Sequence, residues 1–260
     1  VVPRIVFATT GLCAALLVLQ ATASTATRWL CTPGPSNFRM QAAAASNLTG
    51  LLWTALPFLV LLYGRQGPLL AILALLQLWG LRELLCTRMQ DPECGQWVCI
   101  YGGGLLALLG QHLFFCTGHT TQFAGLQYSA GFVGYDDFSF ARAGFLLAAN
   151  TFAAHVVSAA LVPMVALWFS ASRRRHAGDT ATVEDNGALY RRSIRLAAQG
   201  YAAVRSSSLL LSTFGAALHR RHLMAWSLFA PKFVFDGISF LVSHLALAAA
   251  AWLAGLPTRP

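Results

Sequence analysis

The sequence predicts an all-α fold, a polytopic transmembrane helical domain of about seven spans. Three observations carry this. Hydrophobic residues make up 57% of the 260 and charged residues 10%, where an ordinary soluble domain is about a quarter charged. The apolar residues occur in blocks long enough to cross a hydrocarbon layer, for which about 20 helical residues are needed. Several such blocks follow one another, more than the core of a soluble domain accounts for.

The spans fall near residues 5–23, 47–63, 67–85, 98–116, 142–169, 193–218 and 224–254. The chain starts at Val1 rather than at a Met and enters its first apolar block by Ile5, which reads as a fragment or a processed piece. The second and third spans are joined by "YGRQGP", where Gly64, Gly67 and Pro68 interrupt the helix and predict an antiparallel hairpin. The sixth and seventh meet at another tight connection, "LHRRHL". Two connections are longer. Residues 117–141 mix glycines and aromatics with few charges, and form either a structured noncytosolic loop or a re-entrant one. Residues 171–192 carry Arg173, Arg174, Arg175, Arg191 and Arg192 and read as a polar, basic cytosolic loop.

Orientation follows from the basic residues. The side bearing Arg28, Arg39, Arg82, Arg88, Arg173–Arg175, Arg191, Arg192, Arg195 and Arg259 is richer than the side bearing Arg4, Arg65, Arg142, Arg220 and Arg221. The richer side is expected to be cytosolic, which places Val1 and the 117–141 loop outside or in a lumen. Asn47-Leu48-Thr49 fits a glycosylation acceptor but falls on the cytosolic side, so it is expected to be unmodified.

The net charge of +9 does not mark a nucleic-acid partner, because the basic residues sit in connections rather than along one polar face. Cys13, Cys31, Cys86, Cys94, Cys99 and Cys116 match no zinc or redox spacing. They read as free thiols, with a Cys94–Cys99 bridge left open. No phosphate loop, dinucleotide fingerprint or His-Glu-x-x-His motif occurs. No catalytic residue and no metal ligand set can be named. His112, His119, Asp136 and Asp137 are metal-binding residue types without a compact ligand pattern.

Polar groups inside apolar spans are costly unless they are paired or face water, so they are the best candidates for function. In the seventh span Pro231 interrupts the helix ladder, and Lys232 and Asp236 stand four residues apart on one face. They read either as a pair offsetting its own desolvation or as a lysine for an anionic lipid headgroup, oriented by the aspartate. Arg205 is expected to face other helices, with Ser206–Ser208 as its polar surroundings, rather than a phosphate. Asn150, Thr151 and His155 form a polar face in the fifth span that joins helices or lines a ligand cavity. His119 is expected to hydrogen-bond within its loop or to a headgroup.

Three stretches, "FFCTGHTTQFAGLQYSAGFVGYDDF", "LLAANTFAAHVVSAALVPMVALW" and "LHRRHLMAWSLFAPKFVFDGISFLVS", resemble the C-terminal membrane region of the GPI ethanolamine phosphate transferases. The likeness is greatest to type 3, with type 2 the alternative. It covers residues 98–254 well and the first three spans loosely. The resemblance implies a multi-pass endoplasmic-reticulum enzyme that transfers phosphoethanolamine from phosphatidylethanolamine to a mannose of a GPI precursor lipid. It also implies a small membrane stabilising subunit as partner. In that family a luminal domain with a threonine nucleophile and zinc performs the chemistry, and its motifs are absent from these 260 residues, so no cofactor is expected within them. His119, Asn150, His155, Arg221, His222, Lys232 and Asp236 lie in the matching stretches and are expected to bind substrate or assemble helices. The rival readings are a noncatalytic lipid-binding or subunit-stabilising module and, less favoured, a secondary transporter.

Overall fold

The computed structural model describes residues 5–6, 8–10, 12, 50, 55–88, 95–177 and 183–254. The first predicted span, most of the second, Asn47 and Cys94 lie largely or wholly outside these residues. The described chain is helical, and we number its helices α1 (residues 55–62), α2 (Gly67–Arg88), α3 (Gly95–Cys116), α4 (Phe140–Ala160), α5 (Val162–Ala177), α6 (Val183–Leu218) and α7 (Leu223–Leu253).

The predicted hairpin forms between α1 and α2. Gly64 has a φ of 58°, in the left-handed region that favours glycine. A Cβ on Gly67 would stand 2.3 Å from the carbonyl oxygen of Val60, so the chain can turn this sharply only with glycine there. Pro68 follows in the first turn of α2, where its missing N–H breaks no helical bond. One described span is also interrupted. Pro163 cannot donate to the carbonyl four residues earlier, and α4 gives way to α5 across a single turn residue, Leu161.

Packing centres on α3 and α6. A Cβ on Gly103 would lie 1.8 Å from the Ala197 carbonyl oxygen, and one on Gly200 would lie 1.9 Å from that of Ile100. The two backbones therefore touch directly, the arrangement small residues permit where lipid offers no hydrophobic drive for helices to associate. Leu106, Ala107, Val162, Val165, Ala197 and Tyr201 fill the core around this seam. Outward faces stay apolar, with Leu69, Leu76 and Trp79 on α2, Leu210 and Phe214 on α6, and Leu241 and Leu245 on α7 all exposed. Such a perimeter suits hydrocarbon rather than water.

Four helical stretches are long and apolar enough to cross a membrane: Gly67–Leu85, Gln96–Cys116, Phe140–Ser170 and Leu223–Leu253. They coincide with the predicted third, fourth, fifth and seventh spans. The predicted sixth, 193–218, is helical within α6 but is not among those four. Arg205 and Ser206–Ser208 at its centre reduce its apolarity. Described residues thus give an all-α membrane bundle with four clear spans rather than seven.

At 1.5 Å per residue the 36-residue α6 is roughly 54 Å long, well beyond a hydrocarbon core of about 30 Å. Its polar first turns continue the helix outside the apolar layer. Residues 171–177 and 183–192, read from sequence as part of a loop, are accordingly helical. The 117–139 connection folds through two 3-10 turns, Phe123–Gly125 and Tyr128–Phe132, that cap one end of the bundle.

Candidate functional site

The turn at 63–66, the 117–139 connection and the turn at 219–222 lie at the same end of the bundle, and the predicted polar residues gather at and below it. Thr117 leaves α3 and donates its hydroxyl to the Phe114 carbonyl at 2.6 Å, while His119 Nδ1 lies 2.7 Å from the same hydroxyl oxygen. With its one proton committed, the threonine accepts, so Nδ1 carries the imidazole hydrogen. His119 Nε2 is then an acceptor for the Asn150 amide at 3.2 Å. The other Asn150 amide hydrogen goes to Gln127 Oε1 at 3.2 Å, and the Gln127 amide returns to the Thr117 carbonyl at 2.9 Å. Tyr63 closes the site from the α1–α2 hairpin by donating to the Asn150 carbonyl at 3.1 Å. Burial holds the His119 pKa below the ordinary imidazole value, in keeping with a neutral ring.

Beneath this ring of bonds, Phe114 is fully buried and lies between two imidazoles. Its centroid is 5.4 Å from that of His119 and 5.1 Å from that of His155, both stacked, and Phe235 of α7 packs at 5.5 Å. The His155 backbone carbonyl links two helices, while its buried ring Nδ1 has no hydrogen-bond partner. That carbonyl accepts from Ser158 at 3.0 Å and from the Tyr201 hydroxyl of α6 at 3.3 Å. Thr151, by contrast, donates to Leu147 within its own helix.

A second polar group joins α3, α6 and α7. Arg205, 5% exposed, donates to Gln111 Oε1 at 2.9 Å and to the Ser239 hydroxyl. It faces other helices, but Ser206 and Ser207 are not its surroundings. Ser206 and Ser207 are exposed, and Ser207 donates to Ala203 of its own helix. One turn from Ser239, Asp236 accepts from Lys232 at 2.8 Å and from Ser212 of α6. The predicted intrahelical pair therefore exists and also pins α7 to α6. Helix α7 continues through Pro231 instead of stopping there.

Arg221 and His222 are exposed at the α6–α7 turn and join neither polar group. His112 lies 3.0 Å from Gln77 of α2, so it does not converge with His119. Among the described residues no three of His, Cys, Asp and Glu gather to hold a metal. Sequence reasoning passed over Tyr63, Gln111, Gln127, Ser212, Ser239 and Arg220. Gln111 inside an apolar block was the one available signal, because a buried amide needs a partner.

Two recesses adjoin these groups. A small apolar cleft of about 100 Å³ lies among α1, α2, α3 and α4, with Tyr63 and Thr117 at its edge. A larger groove of about 790 Å³ opens between α6 and α7, where Arg220, Thr213 and Ser227 accompany Phe123, Phe233 and Val234.

Fold and site together define a helical membrane domain with a ring of uncharged side chains at one end, in which Asn150 Oδ1 is buried without a hydrogen-bond partner, and no assembled catalytic group among the described residues. The chain is similar to the mouse (Mus musculus) "GPI ethanolamine phosphate transferase 3, catalytic subunit", with 28% identity over 239 residues, covering 78% of this chain and 21% of the mouse protein. The human (Homo sapiens) protein of the same name is 28% identical over 231 residues, with the same coverage. The Saccharomyces cerevisiae GPI ethanolamine phosphate transferase 3 is 29% identical over 149 residues, covering 57% of this chain and 14% of the yeast protein. The chain spans about a fifth of the length of the mouse and human relatives it matches. No family model matches it. No solved structure matches it.

Proposed function

We propose that this chain is the membrane part of a GPI ethanolamine phosphate transferase of type 3, resident in the endoplasmic reticulum. In this reading a luminal domain outside these 260 residues, with its own zinc, transfers phosphoethanolamine from phosphatidylethanolamine to a mannose of the GPI precursor. The helices hold both lipids at the luminal face, turning a bimolecular encounter into an effectively intramolecular one. A small stabilising subunit is expected to dock on the bundle.

The observation that supports this most is the closed ring of Thr117, His119, Asn150 and Gln127. It fixes the loop at the end of the bundle where the positive-inside count puts the lumen, and lies in the stretches that resemble the transferases. Such a ring gives reacting headgroups a rigid floor without supplying a nucleophile. The test is His119→Ala in the natural-length protein. Phosphoethanolamine transfer to GPI intermediates should fall at least tenfold while protein abundance stays within twofold. Unchanged transfer at normal abundance would reject the role.

A further inference from the structure

Three side chains on α2 and α3 that belong to neither polar group above form a cluster of their own. Cys116 is the last residue of α3 and is exposed. His112, also exposed, stands one turn earlier on the same face, with its ring Nε2 3.6 Å and its Nδ1 3.8 Å from the Cys116 Sγ. The Gln77 amide of α2 meets His112 Nδ1 at 3.0 Å. Leu108, four residues before His112, is exposed, as are Phe115 and Leu76, the chain neighbours of Cys116 and Gln77. The cluster therefore opens on apolar surroundings.

Thiol, imidazole and amide in this order match a nucleophile, its base and the group that orients the base. The roles follow from counting hydrogens. The oxygen and nitrogen of an amide head exchange places by a half-turn about its last bond. Gln77 Oε1 is buried without a hydrogen-bond partner, so no bond opposes that half-turn. With Oε1 against it, Nδ1 carries the ring hydrogen and donates it, which leaves Nε2 bare toward the thiol.

The backbone around Cys116 selects among electrophiles. Attack on an ester or thioester builds an alkoxide beside the sulfur, and such a charge needs N–H donors aimed at it. The N–H groups that follow Cys116 are committed, Thr117 to the Leu113 carbonyl at 3.0 Å and Gly118 to the Phe115 carbonyl at 2.9 Å. A helix C-terminus otherwise presents carbonyls. Conjugate addition to an α,β-unsaturated aldehyde puts its developing charge at the far end of the acceptor, away from those carbonyls. The exposed apolar neighbours favour an acceptor that arrives from hydrocarbon.

We infer that Cys116 is a covalent modification site for a bilayer-dissolved α,β-unsaturated aldehyde, with His112 as the base and Gln77 positioning it. The thiol proton passes to His112 Nε2, the sulfur electron pair forms the S–C bond at the β-carbon, and the C=C π pair moves to give the enolate. The imidazolium then returns the proton to the α-carbon. No group leaves, and no external oxidant or reductant takes part. The site does not rest on the transferase reading.

The test uses the natural-length protein in isolated membranes, treated briefly with alkyne-tagged hydroxynonenal or, separately, with alkyne-tagged iodoacetamide, a polar electrophile. Peptide mass spectrometry reads the adducts at Cys116 and at the buried Cys99. Each rate is divided by that of the same reagent with free cysteine in water. On this scale the enal should modify Cys116 at least tenfold faster than it modifies Cys99, and at least tenfold faster than iodoacetamide modifies Cys116. His112→Gln keeps an amide for Gln77 to bond but has no base, and should slow enal addition by about tenfold or more. Gln77→Glu has only acceptors and should keep the parent rate within twofold, whereas Gln77→Leu should lower it. Imidazole in the buffer should restore the rate of His112→Ala. A rate in His112→Gln within twofold of the parent would remove the base and overturn the proposal. Equal losses in Gln77→Glu and Gln77→Leu would also overturn it, because Gln77 would then donate to Nδ1 and Nε2 would bear the hydrogen. Equal scaled rates for the two reagents would make Cys116 an ordinary water-exposed thiol.

Discussion

Helix α6 makes two seams, and they are built in opposite ways. Toward α3 it presents Ala197 and Gly200, and backbone meets backbone with no room for another atom. Toward α7 it presents Arg205 and Ser212, and the contact is made by polar side chains reaching Ser239 and Asp236. The first seam is held by dispersion and shape and tolerates no added volume. The second is held by directional bonds whose partners can in principle be exchanged one at a time. A bundle with one rigid and one polar seam keeps its framework while its α7 side remains adjustable, and the groove between α6 and α7 is on that side.

The rigid seam offers the most severe way to break this contrast. Gly200→Leu should destabilise the protein by about 3 kcal/mol or more through overpacking against the Ile100 carbonyl. Gly80→Leu, where a Cβ meets nothing within 4 Å, should be close to neutral. Thermal midpoints in detergent separate the two, and similar midpoints would show that the backbones do not touch. The polar seam should respond less. A double-mutant cycle on Ser212→Ala and Asp236→Asn is expected to give a coupling of about 0.6 kcal/mol and no more than about 1.7. A cycle at zero would mean that the Ser212–Asp236 bond contributes no net stability.

The polar end of the bundle sharpens the comparison further. His119 is neutral when buried and its pKa lies below the unfolded value, so the unfolded chain takes up protons first as pH falls. The stability it contributes is fully present above about pH 6.5 and is lost as pH drops toward the folded pKa. Wild type should therefore show a lower thermal midpoint at pH 5 than at pH 7.5, by more than His119→Gln does. An identical pH dependence in both would exclude the neutral-histidine assignment. Tyr63→Phe removes one part-buried bond to the Asn150 carbonyl and should cost about 1 kcal/mol. A midpoint unchanged from wild type would detach the hairpin from the site.

What could be read from sequence divides along physical lines. Spans 67–85, 98–116, 142–169 and 224–254 were legible because length and apolarity alone identify a membrane helix. The Lys232–Asp236 pair was legible because residues four apart share a helical face. The same rule explains what failed for Arg205. Ser206 and Ser207 are one and two residues on, positions that do not share its face, so its partners had to come from α3 and α7. The charge-dense 171–192 region read as a loop, yet Arg and Ala are good helix formers and extend α5 and α6 into it. Of the ring around His119, Thr117 and Gln127 belong to its own loop, whereas Tyr63 and Asn150 come from separate segments that only the tertiary fold brings to it.

Phe114 has a consequence for how this part of the molecule can change. Its ring is a shared wall for His119, His155 and Phe235, so three helices and the end loop take their positions from one side chain with no exposed surface. Substitutions at these four positions cannot be independent. A smaller residue at 114 leaves a void that a larger one at 155 or 235 can refill, and either change alone should be harmful where the two together are tolerated. Sequence drift here should proceed in compensated pairs that conserve summed volume, whereas the lipid-facing leucines of α2 are free to vary singly.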